Sequence, residues 1–102
     1  MNEFKVSCIT KSPPDSADHQ HITHIGGLGT NGWRLTKGAA IRRIEAKQEA
    51  YYTVDPASGK KAYIGVIRES GNAPYLRTHA DGNWNNNLLA QQACPATYTV
   101  IE

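Results

Sequence analysis

A chain of 102 residues, 39% apolar and 20% charged, has the size and make-up of one globular domain; it fits neither a disordered tail nor a membrane protein. The formal net charge of +2 is too small for a strong nucleic-acid binder and leaves room only for a local basic patch. Met1 to Val6 holds no apolar run of signal-peptide length, and no stretch reaches the roughly 20 apolar residues of a spanning helix, so a cytoplasmic location is expected.

In chain order, Phe4 to Thr10 alternates as a strand, with Phe4, Val6 and Cys8 predicted on one face. Lys11 to Gln20 is a loop, because Pro13 and Pro14 lack amide donors and Asp15, Ser16 and Asp18 favour turns. A short strand over Ile22 to Ile25 ends at Gly26-Gly27. Thr30-Asn31-Gly32 then turns the chain into a returning strand, Trp33-Arg34-Leu35.

One helix follows. Thr36 is placed to cap its first turn, Ala40, Ile41 and Ile44 share a face, and it is predicted to end near Gln48. Tyr51 to Val54, Lys61 to Arg68 and Pro74 to Thr78, separated by turn-forming residues, read as a three-stranded antiparallel meander. A polar loop runs from Asp81-Gly82 through Trp84 and Asn85-Asn86-Asn87. Leu88-Leu89-Ala90 is expected to dock on the core, and Thr97 to Ile101 forms a last strand. The fold class is α+β: one curled antiparallel sheet of five or six strands in the order β-β-β-α-β-β-β with one packed helix. A single helix covers one face only, so the sheet either curls into a partial barrel or leaves a face open. An open edge would also suit a homodimer.

Several blocks together resemble a bacterial family of small domains catalogued as domain of unknown function 3892. They are Cys8 to Ser12, His21 to Gly27, Trp33-Arg34-Leu35, Tyr75 to Thr78 leading to Ala80-Asp81-Gly82, Asn86 to Leu89, and Cys94-Pro95. The resemblance spans roughly Val6 to Pro95 and implies a bacterial or phage setting. It carries no activity to transfer.

Four chemistries are compatible with the residues present. Cys8, His24 and Cys94, with His19 or His21 as a fourth ligand, supply the thiolate and imidazole groups zinc prefers, although neither cysteine has a close cysteine partner in sequence. In a reducing compartment these cysteines are expected as free thiols or metal ligands rather than as a disulfide. Cys8 or Cys94 activated by His24 and oriented by Asp81 would make a nucleophile, but no cysteine-enzyme signature accompanies them. Tyr51, Tyr63 and Tyr75 on successive strands, with Arg68 and Arg77, could stack and contact single-stranded nucleic acid or nucleotides. Finally, Trp84 beside Asn85 and Asn86 resembles a recognition anchor for an unidentified protein or small ligand. No phosphate loop, carboxylate pair or serine triad can be assembled, so the expected role is non-enzymatic binding without a required cofactor. The Trp84 loop and the face of Tyr63, Tyr75 and Arg77 compete as its surface.

Overall fold

The computed structural model describes residues 2–80 and 82–102. The class is α+β, but the strands form two five-stranded sheets, neither closed into a barrel. The chain begins with β1 (Asn2–Lys5) and β2 (Cys8–Lys11). A 3-10 turn, His19–His21, precedes β3 (Ile22–Gly27) and β4 (Trp33–Thr36). Helix α1 (Lys37–Glu45) leads to β5 (Glu49–Val54), β6 (Lys61–Ile67) and β7 (Tyr75–Ala80). Short strands β8 (Asn83–Asn85), β9 (Gln92–Ala93) and β10 (Thr99–Ile101) complete the chain. The first sheet has the order β1-β5-β6-β7-β8 and the second β10-β4-β3-β2-β9.

The single strand expected over Phe4 to Thr10 is in fact two, which is why one curled sheet becomes a pair. The Val6 amide donates to the Tyr52 carbonyl of the first sheet, at 2.7 Å. The next amide, Ser7, donates to the Gly26 carbonyl of the second, at 2.9 Å. Apolar alternation cannot reveal such a switch, because both Val6 and Ile9 still reach the common core. That core draws Ile9, Ile25 and Leu35 from the second sheet, Tyr51, Ile64 and Leu76 from the first, and Ala39, Ala40 and Ile41 from α1. Leu88, fully buried, docks there as its apolar turn suggested.

Local signals in the sequence hold well around the helix. The Thr36 hydroxyl accepts the Ala39 amide at 3.2 Å, an N-cap that satisfies one of the free donors of the first turn. The helix stops sooner than Gln48, because Lys47 takes a left-handed conformation with φ 57°. Its amide and that of Gln48 then return to the Ile44 and Arg43 carbonyls, closing the end as a Schellman motif without glycine.

The C-terminal tail is the largest departure from expectation. β9 pairs parallel with β2 and β10 pairs parallel with β4, so the tail crosses the outer face of the second sheet from one edge to the other. Midway, Cys94 is joined to Cys8 in a disulfide, with Cα atoms 4.8 Å apart. The expectation of free thiols is therefore corrected. The spacing of 86 residues gave no hint, since only the pairing of Ile9 with Ala93 brings the sulfurs together. Gly26 lies beneath this bond: a Cβ there would sit 2.9 Å from Cys94 Sγ and 3.0 Å from Cys8 Sγ. Arg34 Nη2 reaches the Ala96 and Tyr98 carbonyls at 3.0 and 3.1 Å, fixing the strap beyond the bond.

Closing so long a loop restricts the unfolded chain by an amount corresponding to about 4.5 kcal/mol at most. Paired Cys8→Ala and Cys94→Ala substitutions should therefore lower the urea midpoint by up to that stability. Amide exchange at β9 and β10 should accelerate before that of β5 to β7; unchanged exchange there would show that the strap holds without the bond.

Candidate functional site

One cross-strand row on the outer face of the first sheet is built almost entirely of rings. Register pairs Tyr52 with Tyr63, Tyr63 with His79, and His79 with Trp84. Lys5 of β1 stands opposite Tyr52, so the row spans all five strands of the sheet. Tyr52 and Tyr63 have ring centroids 6.1 Å apart, and His79 meets Trp84 edge to face at 5.3 Å. Tyr52, Tyr63 and His79 are half-buried in the row and Trp84 is 47% exposed. Lys61 Nζ lies 4.4 Å from the centre of the Tyr52 ring and also pairs with Glu3 at 3.4 Å, while the Tyr63 hydroxyl donates to the same carboxylate at 3.1 Å. That carboxylate raises the Lys61 ammonium and the Tyr63 phenol above their ordinary pKa values.

Trp84 and the tyrosine face, which the sequence offered as rivals, are thus one surface. Trp84 is not in an irregular loop but on β8, and its ring reaches across β7 to β6. Gly65 provides the seat: a Cβ at that position would stand 3.1 Å from both Trp84 Cη2 and His79 Cδ2. Trp84, His79 and Gly82 also border a surface hollow of about 200 Å³.

The other predicted site residues divide by direction. Tyr51 points inward and is 2% exposed, so Tyr52 takes the place on the face that sequence reading gave to Tyr51. Tyr75 is half-exposed on β7, opposite Ile67, and its hydroxyl donates to Glu69 at 3.0 Å. Asn85 works as a tie: its Oδ1 accepts from the Thr78 hydroxyl at 2.5 Å and from the Asn87 amide at 3.0 Å. Asn86 Oδ1 accepts from Arg77 Nη2 at 3.1 Å, while Arg77 Nε donates to the Asn85 carbonyl at 3.1 Å. These amides hold β8 against β7 and thereby hold Trp84. Arg68 is engaged at the helix end, bonded to Glu45 at 2.8 and 2.6 Å.

The zinc ligand set expected from Cys8, His24 and Cys94 is not formed. The two sulfurs are bonded to each other, and a disulfide offers no thiolate to a metal or to an electrophile. His24 sits on β3 between Thr10 and Thr36, its Nδ1 2.8 Å from the Thr23 hydroxyl. His21 Nδ1 lies 2.6 Å from the Ser16 hydroxyl. No group of three His, Cys, Asp or Glu residues among the described residues is arranged to hold a metal. Asp81, named as an orienting residue and as the start of the Trp84 loop, lies outside the described residues. Among those residues no helix is long and apolar enough to cross a membrane.

Comparison with known proteins adds one result. The family described as Protein of unknown function (DUF3892) matches residues 5–90. The chain belongs to this family. No curated protein and no solved structure matches it. The matched span of this DUF3892 chain includes β2 to β8 and every ring of the exposed row. It ends before Cys94, so the strap and its half of the disulfide lie beyond it.

Two predictions follow from this geometry. Gly65→Val should displace the Trp84 ring and shift its fluorescence to the red with little change in melting temperature, since the position faces outward; an unmoved spectrum would show that Gly65 does not seat Trp84. Burial, reinforced by Arg77 beside His19 and Arg34 beside His24, holds both imidazoles below their ordinary pKa of 6.5. The unfolded chain then binds protons more readily, so stability is complete above pH 6.5 and declines as pH falls below it. Urea midpoints measured between neutrality and mild acid should show this decline, and His24→Gln should reduce it.

Proposed function

We propose that this DUF3892 domain is a non-enzymatic binding module that holds single-stranded nucleic acid across the outer face of its first sheet. The observation that carries the reading is the unbroken row Tyr52, Tyr63, His79 and Trp84 on the outward face of the first sheet, with Trp84 47% exposed. Flat exposed rings stack bases of any identity, at about 1–3 kcal/mol per base. Lys5, Lys61 and Arg77 lie along the same face as Glu3 and Glu69, three cations against two carboxylates, which leaves a small positive excess for phosphate contact. With so few cations, stacking rather than charge supplies most of the affinity.

The face does not depend on the Cys8–Cys94 bond, which lies on the other sheet. The reading therefore holds equally in the cytoplasm, where such a bond is uncommon. A short fluorescent oligothymidylate or oligouridylate titrated at about 20 mM salt should bind and quench Trp84. The log–log salt slope should be shallow, near −2 for about three phosphate contacts. Trp84→Ala and Tyr63→Ala should each weaken binding by about 5- to 150-fold. Absence of binding at low salt, or binding indifferent to both substitutions, would refute the proposal.

A further inference from the structure

The inner side of the molecule holds a second, unrelated opening. A cavity of about 340 Å³ is walled by the rings of Phe4, Trp33 and Tyr51 and by Leu35 and Ile101. Its lining therefore comes from β1 and β5 of the first sheet and β4 and β10 of the second. Phe4 stacks on Tyr51 with centroids 5.7 Å apart, and Trp33 meets the two at 6.4 and 6.3 Å, forming one continuous aromatic wall. Phe4 and Ile101, 37% and 38% exposed, stand where the cavity meets solvent.

Arg43 and Glu49 supply the polar lining. Arg43 Nη1 lies 3.1 Å from Glu49 Oε1, and the Tyr51 hydroxyl donates to that same oxygen. Burial and the bonded carboxylate push the Tyr51 phenol up to about 12, so it remains a neutral donor throughout the physiological range. Glu49 engages both partners through Oε1, and among the described residues nothing hydrogen-bonds its Oε2. The Arg43 guanidinium is shared between Glu49 and the Tyr51 hydroxyl, which leaves others of its N–H donors open.

The lining thus carries no net charge and sets an open acceptor beside open donors. An anion or a cation entering it would be attracted by one partner and repelled by the other, with its own hydration lost. A neutral head that both donates and accepts meets the two together. The volume is at the small end for ligand sites and suits one ring or a short acyl chain with such a head.

We infer that this cavity is a binding site for a small uncharged molecule with a flat apolar body and an amide-like head, lodged between the aromatic wall and the Arg43–Glu49 pair. The site is independent of the exposed row, which lies on the opposite side of the first sheet.

Three probes share one ring and differ in head: benzamide, benzoate and benzylamine. Each is titrated into the isotope-labelled full chain and followed by nuclear magnetic resonance. Benzamide should shift the Trp33 indole and Arg43 side-chain signals and leave the Trp84 indole unmoved. Benzoate and benzylamine should bind at least about ten-fold more weakly. Ile101→Trp, which fills the mouth from an exposed edge strand, should abolish the benzamide shifts while signals from β6 and β7 persist. The comparison of heads in the unsubstituted protein stands even where that variant fails to fold. Equal affinity for all three probes, shifts confined to Trp84, or no shift at millimolar benzamide would overturn the inference.

Discussion

Everything in this molecule depends on one core shared by two sheets. The ten short strands and one nine-residue helix of the described residues cannot bury themselves in a single layer, and α1 lies against strands of both sheets instead of covering one. The switch at Val6–Ser7 makes this possible, because it lets one continuous segment hydrogen-bond to both sheets in successive residues. With the inner faces buried against each other and against α1, each sheet retains an outer face, and the two outer faces have different fates.

The outer face of the second sheet is closed by the chain itself. The tail adds a strand to each edge, is bonded covalently to Cys8 midway, and together with the Trp33 carbonyl of β4 leaves room only for glycine at position 26. Among the described residues, no strap of this kind crosses the outer face of the first sheet. Its own glycine, Gly65, makes room for an aromatic ring from the neighbouring strand and not for a strap. The same device, a residue without a side chain on a sheet face, seals one surface and furnishes the other. Val100 and Ile101 of the second sheet are exposed at its β10 edge, whereas on the first sheet Trp84 stands exposed within a row of rings, which is why the proposed binding surface lies there.

Much of the local structure was legible. The Thr36 cap, the antiparallel meander of β5, β6 and β7 and the docking of Leu88 all follow from spacing and side-chain type. The strand Glu49–Val54 shows where such reading stops. Its inward residues are Tyr51 and Thr53 and its outward ones Tyr52 and Val54, so hydrophobicity is nearly equal on both faces. Only the register with β1 and β6 decides that Tyr52 joins the ring row and Tyr51 lines the cavity. His79, Gly65, Phe4 and Glu49 were invisible as site residues for a similar reason: each gains its role from a neighbour far away in sequence.

From the residues alone come the α+β class, the one helix with its cap, the presence of the meander and the aromatic and amide groups available for recognition. These are consequences of interactions between residues a few positions apart, where composition and period carry the information. The division into two sheets, the disulfide across 86 residues, the fusion of Trp84 with the tyrosine face and the cavity behind Tyr51 came only with the tertiary structure. Each depends on strand register and on which sheet a segment joins. Those choices are fixed by the packing of the whole core, and a step of one residue in any strand would exchange its buried and exposed faces.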